Sequence, residues 1–286
     1  MRGDYTLAPY GFELSETCAS CKFRRDGFFC QLLPAELKDF DAIKHISAYP
    51  ADALLFGQQQ KSRGFFQLCE GEVKLSLSSS EGKTLIVRVA KSGDVIGMWA
   101  AISGAPYEVT AECLRPCQVA FVSSTDFRQF LRKHPAVFER AANHLGLHYK
   151  SACEQLSAVG LGATVLEKVA RFLLDWSTKS GAPNNESPFT LSLSHEEIGE
   201  YIAATRESVT RALSEFRNLG LIETYGSTFI IRSRDTLAAI RLREDQTQSF
   251  SFRPQLARLS HTVLQREPRA FQWSEWQRRA NRRKRA

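Results

Sequence analysis

Three cysteines in the first thirty residues have the spacing of a metal-binding loop. Cys18, Cys21 and Cys30 are arranged as Cys-x2-Cys-x8-Cys. Thiolates select zinc or iron–sulfur centres, and both centres commonly take four ligands, so a fourth ligand must come from elsewhere in the chain. The chain has seven cysteines and no apolar leader segment, which argues against a disulfide scaffold. The sequence therefore predicts a metal centre or a set of reactive thiols.

A second group of residues has the pattern of a helix-turn-helix followed by a β-hairpin wing. Ser194 and Glu197 are typical of a capped first helix, and Thr205 is an N-cap for a second helix after a three-residue turn. Two runs rich in β-branched and aromatic residues, 221–224 and 228–232, flank a glycine-containing turn. This layout predicts that the second helix enters the major groove of double-stranded DNA.

The elements that position these residues begin with short alternating strands between about Pro34 and Lys133. Val73, Leu75 and Leu77 are expected to share one face of a strand, and turn glycines recur at a steady interval. This rhythm predicts a compact antiparallel β-roll or jelly roll.

A long helix with a heptad pattern is predicted over residues 135–159. A parallel pair of such helices would form a homodimer, in which two DNA-reading helices lie about one DNA turn apart on an inverted repeat. The alternative is a helix that packs on its own β-roll. The predicted seam consists of Phe138, Ala142, Leu145, Tyr149, Ala152, Leu156 and Val159.

The segment TRESVTRALSEF, residues 205–216, resembles the recognition helix of the CRP/FNR superfamily of bacterial transcription regulators. The order of β-roll, long helix and winged helix is similar as well. The resemblance implies that Glu207 and Arg211 read bases, with Arg206 and Thr210 beside them. Arginine matches guanine and glutamate accepts from cytosine, whereas the alternative is a Glu–Arg pair on a solvated helix face.

Two hydroxyl residues in the first turn of that helix are expected to contact DNA phosphates. Thr205 and Ser208 lie where hydroxyls and free backbone N–H groups favour phosphate oxygens.

The cyclic-nucleotide-binding members of the superfamily offer a Glu to the ribose and an Arg-Ser pair to the phosphate after a GDVIG-like segment. This chain has Met98 at the first place and Tyr107-Glu108 at the second. A buried phosphate would meet a carboxylate and no cation. We therefore expect no binding of cyclic AMP.

The FNR branch of the superfamily joins its N-terminal cysteines to one more cysteine just before a late strand of the β-roll. Cys117 stands at that place, and Cys113 is a substitute. Resemblance to this branch implies a [4Fe-4S] cluster that responds to oxygen and controls dimerisation. The gap between Cys21 and Cys30 is wider than the usual FNR spacing, which leaves zinc, haem or thiol redox chemistry as alternatives.

The net charge of +7 is concentrated in the C-terminal extension. Residues 241–286 hold twelve Lys or Arg against four Asp or Glu, so the rest of the chain is close to neutral. Helix dipoles and placed arginines must therefore supply the attraction to DNA. The extension is expected to be flexible, with contacts to DNA phosphates or RNA polymerase as the alternative.

These observations predict an α+β protein with five regions. They are a cysteine-containing sensor segment (1–33), a β-roll (34–133), a dimerisation helix (134–160), a winged helix-turn-helix (161–242) and a basic extension (243–286). Enzyme motifs and membrane-spanning runs are lacking, so a cytoplasmic non-enzyme is expected. The leading hypothesis is a homodimeric, oxygen- or redox-responsive regulator that also contacts RNA polymerase. A cyclic-nucleotide signalling module is the alternative from another class.

Overall fold

The computed structural model describes residues 10, 17, 18, 21, 27–160 and 164–241. Most of the predicted sensor segment and the whole predicted extension (243–286) lie outside the described residues. Chain contacts place everything up to Arg241 in one compact unit.

Two four-stranded antiparallel sheets form the N-terminal β-roll. Its strands are β1 (Lys44–Tyr49), β2 (Leu54–Phe56), β3 (Gly64–Glu70), β4 (Glu72–Ser78), β5 (Thr84–Lys91), β6 (Val95–Ile96), β7 (Thr110–Cys113) and β8 (Cys117–Ser123). The first sheet has the order β1-β8-β3-β6, and the second has the order β2-β7-β4-β5. The inner faces of both sheets enclose an apolar core that includes Phe66, Leu68 and Val119. The predicted β-roll is confirmed.

Helices and a short 3-10 turn, Phe29–Gln31, cover the other face of the first sheet, which we call the outer face. The helices are α1 (Pro34–Ile43), α2 (Met98–Ser103) and α3 (Ser124–Lys133). The buried ring of Phe29 stacks on Phe40 of α1, with ring centres 4.2 Å apart, and on Phe65 of β3, with centres 5.3 Å apart. These contacts hold the end of the cysteine-containing segment against the sheet.

Strand β4 departs from the predicted alternation. Val73 and Leu75 are buried, but Leu77 is 37 % exposed. The register between β4 and β5 shifts between Leu75 and Ser76, and Ser76 becomes the buried residue. The prediction that Leu77 shares the face of Val73 and Leu75 was therefore wrong, and the change coincides with a β-bulge whose extra residue is Val87 of β5.

The C-terminal part begins with the long helix α4 (Pro135–Gly160), whose bounds match the predicted dimerisation helix. It continues with α5 (Val165–Lys179), β9 (Pro188–Thr190), α6 (His195–Ile202), α7 (Arg206–Asn218), β10 (Ile222–Tyr225), β11 (Thr228–Ile231) and α8 (Arg234–Arg241). The predicted hairpin is present as β10 and β11, and β9 adds an unpredicted third strand beside β11. No helix in the described ranges is long and apolar enough to span a bilayer.

The helix-turn-helix formed by α6 and α7 shares its core with the β-roll. Ile86 of β5 is fully buried in the same cluster as Phe172 of α5, Ile198 of α6 and Leu213 of α7. Burial of these side chains fixes α6 and α7 on the β-roll, since apolar area removed from water stabilises by about 25 cal/mol per Å².

The turn between α6 and α7 requires a glycine at position 199. A Cβ atom there would lie 2.6 Å from the backbone oxygen of Ala204. We expect Gly199→Ala to lower the free energy of unfolding by about 1 to 3 kcal/mol, because the backbone oxygen has no room to move aside. Urea unfolding followed by circular dichroism measures this change.

Gly146→Ala is the matched control, because a Cβ atom at this exposed position of α4 would meet nothing within 4 Å. It is expected to stabilise by about 0.5 to 1 kcal/mol, the usual gain for Gly to Ala inside a helix. Equal effects of the two substitutions would contradict the packing argument for Gly199.

Candidate nucleic-acid interface and cysteine site

The N-terminal end of α7 presents two hydroxyl groups. The Thr205 hydroxyl oxygen accepts a hydrogen bond from the Ser208 backbone N–H at 3.3 Å and lies 3.1 Å from the Ser208 hydroxyl. Thr205 is exposed and Ser208 is half-buried. The first turn of a helix leaves backbone N–H groups without intrahelical partners, so this end of α7 favours anions.

The exposed face of α7 carries three of the four predicted base readers. Arg206, Glu207 and Arg211 are exposed, and Arg211 Nη2 lies 3.4 Å from the Ser208 hydroxyl. Hydrogen bonds from its own backbone N–H and from Thr205 hold the pKa of Glu207 below its usual value, so this carboxylate acts as an acceptor. The opposite face is buried and consists of Val209, Ala212, Leu213 and Phe216.

The fourth predicted base reader, Thr210, has its hydroxyl engaged within the protein. It donates to the Arg206 backbone oxygen at 2.9 Å and lies 2.9 Å from His195 Nδ1 on α6. Since its one proton goes to Arg206, the hydroxyl accepts from His195 Nδ1–H. Burial lowers the pKa of His195, and Arg217 and Arg206 lower it further, so this ring is neutral at pH 7. The sequence analysis missed His195, although it directly follows the N-cap Ser194.

The exposed side of α4 carries the predicted seam. Phe138, Tyr149 and Leu156 are 54 %, 75 % and 65 % exposed, so large apolar side chains face outward along the helix. Ala142 is exposed, and the other seam residues are half-buried: Leu145, Ala152 and Val159. The inner side of α4 packs on the β-roll through Val137 and Ala141.

Polar contacts join the helix-turn-helix to the β-roll and to α4. Lys74 of β4 lies 2.9 Å from Glu197 and 3.5 Å from Glu112. Gln155 of α4 donates to the backbone oxygen of Tyr201 at 2.8 Å. Burial opposes the charge of Glu197, but its bonds to Ser194 and Lys74 outweigh this, and the pKa of Glu197 falls below its usual value. Helix α6, the first helix of the helix-turn-helix, is thus bonded to both the β-roll and α4.

The first of the three N-terminal cysteines lies at the edge of the outer face. Cys18 donates its backbone N–H to Asp41 at 3.0 Å, and its sulfur accepts from Lys44 Nζ at 2.8 Å. Lys44 also pairs with Asp41 at 2.6 Å. Burial opposes the charge of Lys44, but its bonds to Asp41 and Cys18 outweigh burial and raise its pKa. Burial raises the pKa of Cys18 to about 11, and the Lys44 hydrogen bond opposes this rise.

A further cysteine, Cys69 of β3, lies near the N-terminal cysteines. Burial raises the pKa of Cys69, on β3, to about 12, and the charges of Cys18, Cys21 and Cys30 contribute to the rise. Cys30 in turn lies 3.5 Å from the side-chain nitrogen of Gln67 on the same strand. In the sequence, Gln67 and Cys69 are two residues apart on one predicted strand. This spacing was the signal that could have placed Cys69 near the residues around Gln67.

The two cysteines predicted as fourth ligand lie on the other side of the first sheet. Cys117 Sγ lies 3.3 Å from the Glu72 backbone oxygen and 3.1 Å from that of Arg115. Cys113 and Cys117 are both fully buried in the inner core. A hydrogen bond with Cys117 and burial raise the pKa of Cys113. The structure contradicts the assignment of Cys117 or Cys113 to the N-terminal trio, because Cys117 on β8 and Cys113 on β7 are both buried in the β-roll interior.

The described residues contain no preassembled set of three metal ligands. Any centre held by the N-terminal cysteines therefore requires side-chain rotation as it forms, which is common for metal sites that assemble with their metal.

Aromatic side chains pack beside Gly97, the N-cap of α2. Tyr107 stacks on Phe56 with ring centres 3.8 Å apart, and its hydroxyl donates to the Gly64 backbone oxygen at 2.7 Å. Met98 is buried, and Glu108 is exposed.

The end of the cysteine-containing segment contacts α4 directly. Arg140 Nη2 donates to the Phe28 backbone oxygen at 3.0 Å, and its guanidinium lies 5.3 Å from the centre of the Phe28 ring. Next to Phe28, Gly27 approaches Gly93 so closely that a Cβ atom on Gly27 would lie 2.7 Å from the Gly93 Cα.

Family models match both halves of the chain. The model of the cyclic nucleotide-binding domain matches residues 46–134, and that of the Crp-like helix-turn-helix domain matches residues 167–240. The two matches coincide with the β-roll and with the winged helix and together span more than half of the chain. The chain belongs to the CRP/FNR superfamily of transcription regulators.

Relatives of this regulator include two curated proteins. The cAMP-activated global transcriptional regulator CRP of Salmonella typhimurium is 24 % identical over 188 residues, which cover 65 % of this chain and 89 % of CRP. The nitrogen fixation regulation protein FixK of Bradyrhizobium diazoefficiens is 25 % identical over 206 residues, which cover 72 % of this chain and 85 % of FixK.

Solved structures share the fold of this regulator. FixK2 from Bradyrhizobium japonicum matches with a TM-score of 0.63 and 23 % identity, over 69 % of this chain and 97 % of FixK2. The c-di-GMP-responsive regulator CLP from Xanthomonas campestris matches with a TM-score of 0.62 and 19 % identity, over 70 % of this chain and 99 % of CLP. Both matches support the predicted architecture of β-roll, long helix and winged helix-turn-helix.

Proposed function

We propose that this transcription regulator binds an inverted-repeat operator as a homodimer and that an iron–sulfur cluster makes the binding depend on oxygen or redox state. The observation that carries the DNA-binding part is the face of α7, on which exposed Arg206, Glu207 and Arg211 stand opposite a fully buried apolar face. A helix held in this way can enter a major groove without loss of its packing.

Within this proposal, Arg211 and Glu207 read bases, and Arg206 lies beside them. The planar fork of Arg211 fits guanine O6 and N7, and the ionised Glu207 accepts from cytosine N4. Thr205 and Ser208 hold phosphate oxygens at the N-terminal end of α7. The hydroxyl of Thr210 fixes the position of α7 on α6 through His195, so we assign it a positioning role.

The proposed dimer forms through α4. Its exposed apolar residues recur at heptad spacing, and a second copy would remove them from water. The alternative in which α4 only packs on its own β-roll leaves Phe138, Tyr149 and Leu156 in water. A two-fold dimer also gives two α7 helices, which an inverted repeat requires.

The proposed sensor is a [4Fe-4S] cluster on Cys18, Cys21, Cys30 and a fourth thiolate. Thiolates beside a cationic Lys44, under a cover of Phe28 and Phe29, are a suitable donor set for such a cluster. When bound, a [4Fe-4S] cluster supplies a redox-active centre that oxygen can degrade.

This chain's own residues connect that sensor to the dimer helix. The segment that ends in Cys30 holds α4 through the bond of Arg140 to the Phe28 backbone oxygen and through the contact of their side chains. Release of the segment would free Arg140 and change the environment of α4. The predicted seam is exposed on the other side of the same helix. A change around α4 would therefore alter how the seam pairs with a second copy, which couples the cysteine site to the dimer seam through α4.

We propose RNA polymerase as a further partner, as the resemblance implies. The basic extension, for which such contacts are the alternative to flexibility, lies outside the described residues.

Arg211→Ala is expected to weaken binding to an inverted-repeat operator by about 10- to 100-fold, because one bidentate base contact discriminates by about 1 to 3 kcal/mol. The measurement is fluorescence anisotropy with the operator and with copies altered at single base pairs. The variant should also lose its preference at one position of each half-site. Arg132→Ala, on the exposed face of α3, is the charge-matched control and should bind as the wild type does. A uniform loss across all DNA sequences would instead assign Arg211 to phosphate.

Cyclic AMP is expected not to bind, because Tyr107 is stacked on Phe56 in the core, and Tyr107 and Glu108, which stand at the predicted phosphate position, supply no cation. Isothermal titration calorimetry of the full chain with cyclic AMP should give no binding heat. Tight binding that also raises DNA affinity would overturn this part of the proposal and favour a nucleotide-controlled regulator.

Protein purified without oxygen is expected to contain iron and acid-labile sulfide and to show visible absorbance that fades in air. Cys18→Ala should lack all three. Zinc in place of iron would contradict the oxygen-sensing proposal while leaving the DNA-binding proposal intact. Absence of any metal would assign the signal to the thiols themselves.

A further inference from the structure

The outer face of the first sheet carries a set of polar residues that the proposed DNA-binding function does not use. In the register of this sheet, Lys44 pairs with Val122, which pairs with Phe65. Directly opposed residues share a face, and every second residue along a strand returns to it. Gln67 on β3 and Gln118 on β8 therefore lie on the same face as Lys44.

Cys69 lies next to this set because of a β-bulge. Leu68 pairs with Val119 and Glu70 pairs with Gln118, so Cys69 is the extra residue between them. A bulge redirects the side chain of the inserted residue. Here the thiol of Cys69 lies 3.9 Å from the backbone oxygen of Gln67, the residue whose side-chain nitrogen lies 3.5 Å from the sulfur of Cys30.

The three N-terminal cysteines approach the outer face from the covering segment. Cys18 reaches it through the contact of its sulfur with Lys44, and Cys30 reaches it through the contact of its sulfur with Gln67 Nε2 at 3.5 Å. The thiols of the segment and the thiol of β3 thus meet on one side of the sheet.

Two buried amides on the same face indicate that another group completes this site. Gln67 and Gln118 are 3 % and 1 % exposed, and neither Oε1 has a hydrogen-bond partner among the described residues. Buried polar atoms without partners are uncommon and costly. Gln67 already presents its side-chain N–H to the sulfur of Cys30, and a half-turn of the Gln118 amide would exchange its oxygen and nitrogen and offer a second N–H. Such N–H groups tune iron–sulfur clusters.

Cys117 lies on the opposite face of the same sheet. Along β8, Cys117 alternates with Gln118, and its sulfur is directed to backbone oxygens inside the β-roll. A cluster that joined Cys117 to Cys18 would have to pass through the sheet.

We propose that Cys69 of β3, in place of Cys117 of β8, supplies the fourth thiolate of the cluster held by Cys18, Cys21 and Cys30. This inference rests on the proposed iron–sulfur function and assigns its ligand set. The ammonium of Lys44 offsets part of the negative charge of four thiolates, and the Gln67 and Gln118 amides donate to sulfur. The cluster then bridges the N-terminal segment and the central strands of the first sheet.

The test compares Cys69→Ser with Cys117→Ser and Cys18→Ser in full-length protein purified without oxygen. Iron, acid-labile sulfide and visible absorbance are measured for each. Cys69→Ser is expected to fall to the background of Cys18→Ser, while Cys117→Ser keeps the wild-type content. Wild-type content in Cys69→Ser would overturn the inference and leave the proposed cluster standing. A wild-type protein without iron would overturn both.

Thiol labelling of the wild-type protein gives an answer that does not depend on how any variant folds. Brief treatment with N-ethylmaleimide, followed by peptide mass spectrometry, compares the anaerobic protein with the same protein after air and chelator. Cys69 should be protected before and labelled after, whereas exposed Cys153 should be labelled in both. Labelling of Cys69 to the same extent in both states would contradict its role as a ligand.

Discussion

The alternation of side chains along β3 and β8 divides the first sheet into an apolar inner face and an outer face that carries Lys44, Gln67 and Gln118. The inner face must be apolar because it closes the β-roll. The outer face can accept charge only where that charge is paired, and Lys44 meets this condition through Asp41 and Cys18. The covering segment, the stacking of Phe29 and the position of Cys69 all depend on this division.

The separation of the two faces of the first sheet also lets one chain hold the proposed sensor site and the proposed DNA-reading helix. On its outer side the first sheet holds the N-terminal segment, and the segment holds α4 through Arg140. On the second sheet, Ile86 and Lys74 hold α6 and α7. Helix α4 contacts both, since Gln155 bonds to Tyr201 at the end of α6. The proposed sensor site, the predicted seam on α4 and the helix-turn-helix are therefore joined by direct contacts among the described residues.

Local signals made the helices of this fold predictable. Ser194, Thr205 and their partners are bonded as their spacing indicates, because capping depends on residues at most three positions apart. The heptad pattern likewise gave the bounds of α4. Long-range features were not predictable: the bulge between β4 and β5, the strand β9 and the Tyr107–Phe56 stack depend on partners more than twenty residues away or on a shift of register.

The candidate sites likewise include features that local signals predict and features that depend on long-range packing. The exposed residues of α7 follow from helical periodicity, but the engagement of Thr210 by His195 depends on how two helices pack. The position of Cys117 along the chain led to its prediction as the fourth ligand. What a cysteine can contact, however, is decided by the face of the strand on which it lies.

The contact of Gly27 with Gly93 has a consequence for variation in this regulator. The Cα atoms of Gly27 and Gly93 meet where the covering segment crosses the β-roll. A methyl group on Gly27 would have no room there. Because the segment packs on these atoms, even the methyl group of alanine at position 27 would push the segment away and separate Phe28 from Arg140. Under the proposed coupling of this segment to α4, a single substitution at this crossing would mimic release of the segment without any chemistry at the cysteines, so steric bulk alone would shift the response.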